Sequence, residues 1–70
     1  MKANEIMVGM SFYDEKNSRT IKVDNINTAS KTAMCTVEEP KYNDQWEEED
    51  TEFYYQSFTL QELTHYSLNS

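Results

Sequence analysis

Glycine, proline, cysteine, histidine and tryptophan each occur once in this chain of 70 residues. One glycine and one proline leave no room for a flexible linker or a low-complexity tail. A single cysteine, Cys35, cannot form an intrachain disulfide, which suits a reducing compartment and removes the usual staple of small domains. The apolar runs are a few residues long, against the roughly 20 that a membrane helix needs. The opening MKANEIMVGM lacks the apolar stretch of a secretory signal. A soluble, cytoplasmic protein with no membrane partner is expected.

Scarcity also thins the chemistry. Catalysis by a Ser/His/Asp or Cys/His set would have to pass through His65, which falls in a terminal helical segment, and nothing local marks Cys35 as activated. A calcium loop needs spaced acids around a turn glycine. The stretch DQWEEEDTE has no glycine and the wrong spacing. No catalytic residue, metal ligand or cofactor is expected, and the chain reads as a non-enzyme.

Charge is what the chain does have, and it is concentrated. The formal net charge is −7. The segment from Glu38 to Glu52 holds eight acids and one base, Lys41, which already accounts for −7. The rest carries five acids and five bases. The net charge of the protein is therefore the charge of one segment. Trp46, five tyrosines and three phenylalanines argue against wholesale disorder. A chain of this size buries only about 60% of its unfolded surface, so residues 1–70 form one domain around one small core.

Apolar periodicity predicts strands. In EIMVGMSFY, residues 5–13, Ile6, Val8, Met10 and Phe12 share one face, and Gly9 marks a bulge or bend. DEKNSR, residues 14–19, is a polar turn with side-chain-to-backbone chemistry at Asn17 and Ser18. In TIKVDNI, residues 20–26, Ile21 and Val23 face inward while Ile26 is out of phase, which predicts a bulge near Asp24-Asn25. NTASK, residues 27–31, is the next turn. In TAMCTVEE, residues 32–39, Ala33, Cys35 and Val37 face inward, and Pro40 ends the strand or forces it to an edge. Residues 41–51 read as an acidic connection. In EFYYQSF, residues 52–58, Phe53, Tyr55 and Ser57 share one face, and Tyr54, Gln56 and Phe58 the other. Thr59 and Glu62 make a capping box for one helix from near Thr59 to near Tyr66.

No parallel crossover is available, because the only helix is terminal. The expected fold is mainly β: a small bent antiparallel sheet, or an SH3-like barrel of four to five strands, with one short C-terminal helix. VGMSF opening the first strand, the polar hairpin, IKVDNI and AMCTVEE as a central pair, and SFTLQEL running into a closing turn together resemble the SH3-like small barrels, including KOW and Tudor-type variants. The chain lacks the acidic loop and tryptophan pair of peptide-binding SH3 domains in their usual order. It also lacks a methyl-lysine aromatic cage, so those functions are not implied.

The acidic segment points to a partner. Phosphate contacts need lysine and arginine, so direct nucleic-acid binding is disfavoured. Dense like charges repel and cost stability, and a tryptophan among them is a better anchor than a solubiliser. The natural partner is a basic protein surface such as that of a nucleic-acid-binding enzyme. The candidate contact set is Tyr42, Asp44, Trp46, Glu47, Glu48, Glu49, Asp50 and Glu52. Carboxylates on alternate strand residues lie about 6–7 Å apart, a spacing that can imitate a phosphate track. In size and charge the chain resembles phage-encoded anti-defence proteins, anti-CRISPR proteins among them. The alternative is an SH3-like adaptor docking a peptide or assembly through Tyr13, Tyr42, Trp46, Tyr54 and Tyr55. An unclosed sheet would also allow a homodimer through an edge strand.

Overall fold

The computed structural model describes residues 2–43 and 48–69. A 3-10 turn at Ala3–Glu5 leads into five antiparallel strands: β1 (Ser11–Asp14), β2 (Arg19–Asn27), β3 (Thr32–Asn43), β4 (Glu48–Thr59) and β5 (Ser67–Leu68). Helix α1 (Leu60–Leu63) lies between β4 and β5. The strands form one open sheet in the order β4-β3-β2-β1-β5. The mainly β fold expected from periodicity is what forms, as an open five-stranded sheet.

The sheet bends around a core supplied by alternate positions. Phe12, Ile21, Val23, Ala33, Cys35, Val37 and Phe58 are buried, and Ile6, Leu60 and Leu63 cover them from the 3-10 turn and from α1. The inward faces of β2 and β3 are those the alternation gave, and of the two faces of β4 the one with Tyr54 and Phe58 turns to the core. The register shift between Val23 and Asn25 is the bulge that returns Ile26 to partial burial against this core. Two left-handed residues, Ser18 (φ 52°) and Lys31 (φ 57°), close the first two hairpins. In the second, Asn27 Oδ1 accepts from the backbone N–H of Ala29 and of Ser30 at 3.0 and 3.2 Å.

Three expectations need correction. Residues 5–13 are not one strand. Gly9 takes φ +96° in a turn, Val8 is 59% exposed, and regular pairing starts only at Ser11. A Cβ at Gly9 would meet nothing within 4 Å, so backbone conformation and not space favours glycine there. The helix is also shorter than predicted. After one turn the chain swings back, and Asn69 N donates to Ser11 O at 2.7 Å, which adds β5 to the sheet. Tyr66, expected on the helix, instead packs edge-on against Phe58 with ring centroids 6.3 Å apart.

The third correction concerns the acidic connection. β2 stops pairing at Thr20↔Glu38, but β3 and β4 continue together through Glu39↔Glu52, Lys41↔Asp50 and Asn43↔Glu48. Pro40 lies inside β3 opposite Thr51. It is tolerated because β3 has lost its β2 neighbour there and become an edge on that side. Five residues of each strand project past the rest of the sheet, a reach of about 17 Å at ~3.4 Å per residue. The radius of gyration, 13.3 Å, exceeds the roughly 11 Å of a compact 70-residue domain, as a projecting arm requires.

The cap of α1 was legible and is testable. Thr59 Oγ1 accepts from Glu62 N at 3.0 Å. Replacing Thr59 by alanine should cost about 1 kcal/mol. In a domain this small that lowers the melting temperature by about 4–8 °C, measurable by thermal circular dichroism.

Candidate functional site

The acidic arm is held at its base by a chain of polar groups. Phe12 and Asp14 occupy the same face of β1, so Asp14 points inward and is 3% exposed. A carboxylate there must be paired. Arg19 Nε donates to its Oδ2 at 2.9 Å, and Asn17 Nδ2 donates to the same oxygen at 2.8 Å. The Arg19 guanidinium reaches onward: its Nη1 donates to Tyr54 Oη at 3.0 Å, and Tyr54 Oη donates to Glu39 Oε2 at 3.1 Å. The guanidinium carbon also lies 5.6 Å from the Phe58 ring centroid, within cation–π range. One arginine thus joins β1, β2 and β4, and through Tyr54 it reaches the first residue of the arm.

The electrostatics follow from these bonds. The Asn17 side chain, helped by Arg19, holds the Asp14 carboxyl below its ordinary value despite the opposing effect of burial. Burial works against the Arg19 charge too, but bonds to Tyr54, Asp14 and Tyr66 more than offset it, so its pKa is raised. Cys35 behaves differently: burial, with a smaller contribution from Asp24, pushes its thiol up to about 11. It is a protonated core residue at neutral pH and no nucleophile. His65 is exposed in the turn after α1. Among the described residues no three His, Cys, Asp or Glu side chains are grouped as a metal site, and no helix is long and apolar enough to cross a membrane.

Of the residues singled out from sequence, Asp44, Trp46 and Glu47 lie outside the described residues. Tyr42, Glu48, Glu49 and Asp50 are placed by backbone register. Glu48, Asp50 and Glu52 occupy alternate positions of β4, with Glu39 directly across from Glu52, while Glu49 pairs with Tyr42. Glu48, Glu49, Asp50 and Glu52 thus belong by backbone register to a two-stranded ladder, where a loop was expected. Glu39 facing Glu52 is an unfavourable like-charge pair.

Beside the arm, the outer face of the sheet carries an apolar patch. Phe53 and Tyr55 are 63% and 77% exposed, and Met34, opposite Ser57, is 47% exposed. Lys22, Asp24 and Glu38 flank it, with Thr36 bonded to Asp24. The aromatic surface expected from sequence is therefore revised. Tyr55 belongs to it. Tyr54 is turned inward and bonded to Arg19 and Glu39, and Tyr13 is half-buried. Phe53 and Met34 were overlooked, although the alternation of residues 52–58 already put Phe53 on the face of Tyr55.

Comparison with protein-family models, with curated proteins and with solved structures finds no match.

The Asp14–Arg19 pair has a pH signature. Because the folded-state carboxyl titrates below its unfolded value, its stabilisation is complete above about pH 4 and fades as pH falls through the folded value. Denaturant unfolding of the parent and of Asp14→Asn should therefore differ most near neutrality. The gap should narrow steadily in acid. A gap independent of pH would show that Asp14 stabilises through shape and not charge.

Proposed function

We propose that this protein is a non-enzymatic acidic module that occupies a basic, nucleic-acid-binding surface of a protein partner, in the manner of a nucleic-acid mimic or anti-defence inhibitor. The observation that carries the reading is the arm. Within the segment that holds the net charge, Glu39, Glu48, Glu49, Asp50 and Glu52 stand on a paired ladder that reaches about 17 Å beyond the sheet. Glu48, Asp50 and Glu52 fall at alternate positions of β4, where the backbone repeat is about 6–7 Å. A row of this kind opposes lysines and arginines spaced to hold phosphates, and its field speeds their encounter. Tyr42, Asp44, Trp46, Glu47 and Glu49 complete the proposed contact surface. Its partner is a nucleic-acid enzyme held in the cytoplasm with this protein.

A second reading is favoured by the Phe53, Tyr55 and Met34 patch. In it the protein is an SH3-like adaptor whose exposed aromatics dock a peptide or assembly, with the acids as a rim that selects basic ligands. The meander of short strands, with a helical turn before the last, supports the likeness to small SH3-like barrels.

The two readings rank mutations in opposite order. Immobilised protein should capture a partner from a native-host lysate at low salt and release it in a salt step, or on addition of duplex DNA as competitor. Neutralising the row with Glu48→Gln, Glu49→Gln, Asp50→Asn and Glu52→Gln should reduce capture at least tenfold, about 1.4 kcal/mol or more. Phe53→Ala with Tyr55→Ala should then have the smaller effect. Capture that survives high salt and charge neutralisation, but not loss of the aromatics, would replace the mimic by the adaptor.

A further inference from the structure

We propose that two copies of this chain associate through the free edge of β4, antiparallel to one another, with the two-fold axis near Gln56. β4 is terminal in the sheet order, and all of its strand pairing is to β3. Backbone groups on its far side bond to no other strand among the described residues. An exposed edge is ordinarily blunted by charge, proline or a bulge. The acidic half of β4, Glu48–Glu52, is protected in that way. The half from Phe53 to Thr59, FYYQSFT, has no charge, no proline and no glycine, and its pairing with β3 is regular throughout.

Self-pairing fits this stretch better than it fits an arbitrary partner strand. With the axis at Gln56, Phe53 meets Thr59 and Tyr55 meets Ser57, so each exposed aromatic faces a small exposed residue. The patches of Phe53, Tyr55 and Met34 from the two copies become contiguous on the outer face of a ten-stranded sheet. Orientation is decided by charge. Antiparallel pairing places Asp50 about 12 strand positions from its counterpart, or about 40 Å at ~3.4 Å per residue. That is several times the ~8 Å screening length of physiological salt. Parallel in-register pairing would bring the same carboxylates to within about 5 Å. The acidic arms then point away from each other at opposite ends of the dimer and stay free. The association is independent of the proposed basic partner, and salt separates the two: raising it weakens arm binding and leaves edge pairing unchanged or tighter.

Sedimentation equilibrium of the full chain should show a dimer whose population grows with concentration and does not fall between about 0.1 and about 1 M salt. Tyr55→Lys, at an exposed position, should raise the dissociation constant at least tenfold while leaving the melting temperature of the dilute monomer unchanged. Because Cys35 is buried, single cysteines introduced at 53, 55, 56 and 57 report geometry under mild oxidation. Cross-linking should peak at 55–57 and be weak at 53. A particle of 8.3 kDa at every concentration up to about 1 mM would overturn the proposal. So would a dimer indifferent to Tyr55→Lys, or equal cross-linking at all four positions, the mark of parallel pairing.

Discussion

The guanidinium of Arg19 is the constraint on which the arrangement turns. It neutralises the buried Asp14, stacks on Phe58 and bonds to Tyr54, and so links three strands at the end of the core where the arm departs. Removing one partner of such a pair leaves an uncompensated buried charge, commonly 3–5 kcal/mol. That is a large share of the stability of a domain this small, since folded proteins carry only roughly 0.05–0.15 kcal/mol per residue. Lysine would not replace it. A compact ammonium lacks the planar fork that addresses a carboxylate and a phenol at once while lying over a ring.

That anchor bears directly on the arm. A two-stranded ribbon alone is marginal in water, and this one carries a carboxylate opposite a carboxylate at its first step, Glu39↔Glu52. Two features offset the strain. Tyr54 donates to Glu39 and so takes up part of its charge at the base. Continuity with the core ladder at Val37↔Tyr54 and Glu38↔Phe53 means the arm extends an existing sheet and need not nucleate one. The arm is best understood as the outgrowth of a hairpin whose root is buried.

Much of this was written locally and could be read. The bulge between Val23 and Asn25 was legible because Ile26 breaks a period of two. The α1 cap was legible because Thr59 and Glu62 have the spacing of a capping box. The two faces of residues 52–58 were legible from alternation alone. What escaped depended on neighbours distant in sequence. Of the two outcomes open for Pro40, a strand end or an edge, the edge is what forms, and only the early end of β2 decides it. The segment DEKNSR looked like a solvated turn, yet Asp14 continues the inward parity of Phe12. An acid at an inward position needs a cation, and Arg19 is five residues away, so the pair is marked in the sequence by parity and charge together. β5 escaped because two residues, Ser67–Leu68, are too few to show a period, and their pairing is set by β1.

The division of labour along β4 follows from the same physics. Its C-terminal half buries Phe58, meets Arg19 through Tyr54 and hands the chain to α1, so it is part of the folded core. Its N-terminal half contributes charge, with Thr51 and Glu52 exposed. The acids of the arm oppose compaction, because concentrated like charge raises the energy of the folded state. Beyond the Tyr54–Glu39 bond folding gains little from them, whereas the remainder of the chain folds with its charges in balance, five against five. Carboxylates that cost stability, gathered on the one element that leaves the core, are the feature of this protein that folding does not explain. A structure so divided allows the charge to be erased without touching the core, and binding and stability then become separable quantities.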